Sequence, residues 1–144
     1  MGTFGTGPFS SDGAMDLLDE LAERPTRLRP DAVAHMLTYI LDNRDLLGRE
    51  FFPDEVVAAA AVVAAAMPGG EYLQRLLATA GHDPQNLIPP APAPALAALA
   101  VEALLFVAGP DGPWHQGWTD QATRAEAQTT TDNLLAVLQA TNAS

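Results

Sequence analysis

An all-α fold, a compact bundle of five or six helices, is predicted by three features of the 144-residue sequence. Apolar residues recur at three- and four-residue spacing in several segments, prolines and glycines punctuate those segments, and no stretch sustains the period-two alternation of a half-buried strand. No internal repeat is apparent. The length suits one domain with a real core, so residues 1–144 read as a single helical domain. A hydrophobic fraction of 48% with 17% charged residues fits a folded chain, because disordered segments combine low hydrophobicity with high charge.

The elements follow in order. Ser10, Ser11 and Asp12 are good N-cap residues, and Ala14, Leu17, Leu18 and Leu21 then form an apolar stripe. Asp16, Asp19, Glu20 and Glu23 fill the other face of this first helix, which Pro25 ends. Pro30 opens a second helix whose stripe is Val33, Leu37, Ile40 and Leu41, with Met36 beside it and an exit over 43–48. Pro53, Asp54 and Glu55 open a third, where proline fits the first turn and acids suit the positive end of the dipole.

The body of that third helix, VVAAAAVVAAAM, has no polar face and is expected at the centre of the bundle. Pro68, Gly69 and Gly70 stop it. A short fourth helix, 71–80, directs Leu73, Leu76 and Leu77 inward and closes at Gly81. Residues 86–94 form an internal Pro-rich connection, for which a spacer of polyproline geometry is the plain reading and a ligand for an aromatic groove the sharper one. A second buried helix covers 95–108, with Glu102 its one charge. After the Gly109–Pro113 turn cluster, Asp120 caps a last helix to about Gln139, with Ala122, Ala125, Leu134, Val137 and Leu138 inward. The β-branched run Thr129–Thr131 predicts a kink or break there.

Charge narrows the function classes. The net charge is −11, from 18 acids and 7 bases, and every base is arginine. Such a surface repels phosphate backbones and anionic membranes and attracts a basic protein. No cysteine is present, which removes disulfides, thiolate metal sites and thiol nucleophiles. The opening has no basic region followed by an apolar one, and the longest apolar run is about 12 residues where a spanning helix needs roughly 20. These features lead us to read the protein as cytoplasmic.

The opening MGTFGTGPFSSDGAMD raises the question of site or structural plug. Gly5 and Gly7 imitate part of a dinucleotide loop, but Ser10 occupies the third glycine position and no strand precedes it. A phosphate-binding P-loop also needs a lysine, and the chain has none. The structural reading accounts for each residue, since glycines allow close backbone approach, Pro8 stiffens the entry, and Phe4 and Phe9 fill apolar holes. A glycine-rich N-terminal loop packed on the bundle is therefore expected, with Phe4, Gly5, Gly7, Phe9 and Asp12 as the candidate structural or binding motif.

These residues resemble the opening of a bacterial family, domain of unknown function 4259. Its members typically begin with Gly-Trp-Gly, then a glycine, a phenylalanine and an acidic or asparagine pair before the first helix. The similarity lies on Gly2, Gly5, Gly7, Phe9, Asp12, Ala14 and Asp16, with softer likeness in the Ala-rich third helix and around Trp118. Phe4 stands where tryptophan is usual. The resemblance implies a small, mainly helical bacterial domain and brings no catalytic residues with it.

No catalytic or metal constellation emerges from spacing. His35 shares a helix face with Asp31 and Tyr39, which reads as a half-exposed histidine in a helical ion pair rather than a base. His82 follows a helix-ending glycine and suits the negative end of the dipole. Trp114, His115 and Trp118, with Asp111 and Asp120 nearby, form a candidate interaction loop: aromatic rings beside carboxylates bind sugars or cations, and tryptophan is enriched at interfaces. The plainer reading is a tryptophan anchor. The acidic pairs Asp16/Glu20, Asp19/Glu20 and Asp54/Glu55 read as solvated faces.

Three functions remain. The first is a non-enzymatic acidic interaction module without cofactors or metal, an immunity- or antitoxin-like neutraliser of a basic partner such as a toxin or nuclease. The second is a small enzyme or ligand-binding domain with a pocket between the N-terminal loop and the Trp114–Trp118 loop. The third is a homo-oligomer joined through the Ala- and Val-rich helix.

Overall fold

The computed structural model describes residues 12–47, 49–50, 53–67, 69–79, 94–108 and 121–142. They carry six α-helices and no strand: α1 (Asp12–Glu23), α2 (Arg29–Asp42), α3 (Pro53–Ala65), α4 (Glu71–Thr79), α5 (Pro94–Ala108) and α6 (Gln121–Asn142). Short 3-10 turns, Thr26–Leu28 and Arg44–Leu46, precede and follow α2. The all-α reading therefore holds. No helix among the described residues is long and apolar enough to cross a membrane.

The bundle is organised by its alanines. Every residue of α3 from Val56 to Ala65 is buried, and α3 packs against α1, α4, α5 and α6. Methyl-sized side chains on all sides let that many backbones approach one helix. The α5 helix is the second organiser, packed on α3, α6 and α2 through Ala97, Ala100, Ala103, Leu104 and Val107. It is not covered all round, however. Leu105 is 49% exposed and Glu102 lies in solvent, so one face of α5 is open.

The other helices bury one stripe each. Ala14, Leu17, Leu18 and Leu21 of α1 face the core, as do Val33, Leu37 and Ile40 of α2, while Leu41 is half-buried. On α4 only Leu73 and Leu77 are inward. Leu76 is 40% exposed because a nine-residue helix packed mainly on α3 has a narrow buried stripe. The α3–α4 corner is tight: Gly69 takes a φ of +91°, and a Cβ on Gly70 would stand 2.1 Å from the Ala64 carbonyl oxygen. Gln74 locks this corner by donating to the Ala65 carbonyl at 2.9 Å.

Two expectations for α6 fail. The expected break is absent: one helix runs through Thr129–Thr131, and each hydroxyl donates to a carbonyl three or four residues back. Ala122 and Ala125 are exposed, and the buried positions are instead Ala127, Thr131, Leu134, Val137 and Leu138. A third expectation fails with α3, the helix expected to join copies of the chain, because its Val56–Ala65 body is consumed inside the protomer.

Candidate functional site

The helices α1 and α2 are joined by only five residues, yet each packs mainly on the core rather than on the other, α1 against α3 and α2 against α5. The space left between them is a groove of about 340 Å³. Its floor is apolar, formed by Leu17 and Leu21 of α1 and by Val33, Met36 and Ile40 of α2. Its rim carries Asp16, Glu20 and Arg24 on one side and His35 and Tyr39 on the other, with Glu50 and Glu55 completing it.

Arg29 fixes the connection between the two walls. It is 9% exposed, and its guanidinium donates from Nε to the Arg24 carbonyl at 2.9 Å and from Nη2 to the Ala22 carbonyl at 3.0 Å. Those carbonyls close α1, where a helix has acceptors without intrahelical partners and a partial negative charge. Charge-assisted hydrogen bonds of this kind stabilise a cation with little access to water. The prolines at 25 and 30 flank this joint.

Tyr39 and Glu50 make the best-defined polar contact of the rim. The phenol donates to Glu50 Oε2 at 2.5 Å. Glu50 is brought there by the turn after α2, where the amides of Arg49 and Glu50 both donate to the Leu46 carbonyl. The accepting carboxylate holds the Tyr39 phenol above its usual pKa, with burial and the negative charges of Glu50 and Asp45 acting in the same direction. The phenol therefore remains neutral and its ring, 41% exposed overall, is tethered at the hydroxyl end. Across the groove Arg24 and Glu20 pair at 3.3 Å with both side chains largely exposed, a contact that contributes little stability.

Among the described residues the rim holds four carboxylates against one guanidinium, a formal excess of three negative charges. His35 is exposed, and it does not form the expected ion pair with Asp31, which lies outside the groove. Among the described residues no group of three His, Asp or Glu side chains is arranged to hold a metal ion.

The groove unites residues that the sequence suggests separately. His35 and Tyr39 share a face as expected, and the Asp16/Glu20 pair borders the same space rather than an indifferent surface. Sequence spacing gives no sign of Glu50 and Glu55 here, since only the turn after α2 brings them back. Asp12 begins α1. Phe4, Gly5, Gly7 and Phe9 of the opening motif, His82, and Trp114, His115 and Trp118 lie outside the described residues, as do most of the Pro-rich connection and the pocket expected between the two loops.

A family model described as Domain of unknown function (DUF4259) matches residues 2–130. The chain belongs to this family. The matched region includes α1 to α5, the first part of α6 and every described residue that lines the groove. No curated protein matches the chain, and no solved structure does.

Proposed function

We propose that this chain is a non-enzymatic interaction module that captures a basic protein, and that neutralising such a partner, in the manner of an immunity protein or antitoxin, is its role. The observation that carries the reading is the apolar groove rimmed by an excess of three negative charges, on a chain whose net charge is −11. A field of one sign steers an oppositely charged protein to the surface, and an apolar floor gives it something to bury on arrival. The same field disfavours nucleic acid and anionic membranes.

Affinity capture with the tagged full chain tests this reading, followed by titration with the recovered partner at low and high salt. The expected partner has a net positive charge, and its affinity falls as salt screens the exposed charges. A partner that binds equally at both ionic strengths, or one that is itself acidic, overturns the proposal.

A further inference from the structure

We infer that the α1–α2 groove is a docking site for a short amphipathic helical segment of a basic partner, with an apolar side chain seated on the floor and an arginine laid against Tyr39 and Glu50. This rests on the reading of the protein as a module for basic partners, and it assigns the partner's contact element.

The groove sets the size of the occupant. Its α1 wall runs from Asp16 to Arg24, which at about 1.5 Å per residue is a length of about 12 Å, roughly two turns of an incoming helix. A volume of about 340 Å³ is at the small end of ligand pockets, enough for side chains from one helix face rather than a whole helix. Helix-in-groove recognition works this way, through apolar anchors one turn apart.

The chemistry sets the flanking residues. Carboxylates are spread along the rim instead of converging on one point, which suits several cationic side chains on a segment better than one metal ion. At the Tyr39 end an aromatic face and a carboxylate are held side by side by the phenol hydrogen bond. A guanidinium uses both at once, stacking on the ring while its N–H groups meet Glu50; an ammonium has no flat face for the first contact. The protein places a guanidinium over an aromatic ring elsewhere, with the Arg44 guanidinium 5.3 Å from the centroid of the Phe106 ring.

The test is fluorescence polarisation of the full chain with a labelled synthetic helical peptide carrying leucines one turn apart and arginines beside them. A lysine version and a version with serine for leucine serve as comparisons. The expected order is arginine above lysine by about threefold, because only the guanidinium lies flat on the ring while its N–H groups meet Glu50, with the serine peptide weakest. Met36→Arg places a cation in the floor and Glu50→Lys one on the exposed rim; each is expected to weaken the arginine peptide about tenfold or more. Glu50→Lys keeps the test decisive should Met36→Arg fold poorly. Tyr39→Leu abolishes the arginine preference, while Glu126→Gln with Asp132→Asn, exposed on α6 and away from the groove, leaves binding within about twofold.

Loss of binding in the α6 pair with no change in the groove variants refutes the docking site and leaves the basic-partner reading intact. Failure of every cationic peptide to bind at low salt overturns both. Tighter peptide binding on deletion of residues 1–11 makes the chain's own N-terminal segment the occupant, and a dimer in light scattering that Met36→Arg dissociates makes it a second copy. Either result overturns the inference.

Discussion

Replacing Arg29 with methionine removes hydrogen bonds that tie the end of α1 to the start of α2, those to the Arg24 and Ala22 carbonyls among them, while keeping much of the buried stem. Each bond joins a cationic donor to a carbonyl, a class that contributes about 1.5 to 3 kcal/mol apiece when measured singly. Two bonds from one guanidinium are not independent, and water can reach carbonyls at a helix end, so the expected cost is about 2 to 4 kcal/mol. At this chain length each kcal/mol moves the melting midpoint by roughly 2 to 4 °C, which puts the fall at about 4 to 16 °C. Thermal melts followed by circular dichroism measure it, with Arg27→Met, at an exposed position two residues earlier, expected within about 0.5 kcal/mol of the parent. Arg29→Lys keeps the charge and loses the fork, so it should recover less than half of the loss. An Arg29→Met melt indistinguishable from Arg27→Met would refute the assignment of this side chain as the joint of the groove.

Three further outcomes follow from the geometry. Gly70→Ala forces a Cβ to within 2.1 Å of the Ala64 carbonyl oxygen, whereas Gly69→Ala meets only an unfavourable φ of +91° in open space; urea unfolding should show the first costing about 1 to 3 kcal/mol or more and the second about 1. Ala60→Leu, at a fully buried position of α3, is expected to lose about 1 to 3 kcal/mol by overpacking; a neutral result in the same assay would mean that α3 is not closely surrounded. The chain has only two tyrosines, and both phenols are held above the usual value, Tyr39 by Glu50 and Tyr72 by burial. The folded protein prefers both phenols protonated, so their contribution to stability is present below the free tyrosine pKa of about 10 and is lost as pH rises through the folded values. Tyrosinate absorbance should therefore appear above pH 10, and Glu50→Gln should bring one of the two transitions down.

Helix identity is legible where local chemistry and tertiary packing agree. Pro30 and Pro53 sit in first turns, the α1 stripe Ala14, Leu17, Leu18 and Leu21 is buried as spaced, and the polar-free run of α3 could only belong at the centre. The misreadings share one cause, a rule about a single helix applied where a neighbour or the helix itself decides. The rotamer cost of Thr129–Thr131 does not stop a helix whose Thr131 is buried in the bundle, and the apolarity of Leu76 says nothing of the limited contact surface of α4. The candidate site is the least legible feature. His35 and Tyr39 can be paired by helical spacing, but a groove is an absence of packing between α1 and α2, and no motif encodes an absence. Glu50 lies eleven residues beyond Tyr39 and reaches it only through the turn at Arg44–Leu46.

The separate anchoring of the two groove walls has a mechanical consequence. A cleft closed by contacts between its own lips must break them to admit a guest, and its width is then a property of the lips. Here α1 is fastened to α3 and α2 to α5, so the gap is a difference between two distances fixed in the core. Those distances are set where α3 meets α5, two helices whose buried positions are rich in alanine. A one-carbon change at that seam would retune which guest fits while leaving the rim residues, and the charge they display, as they are.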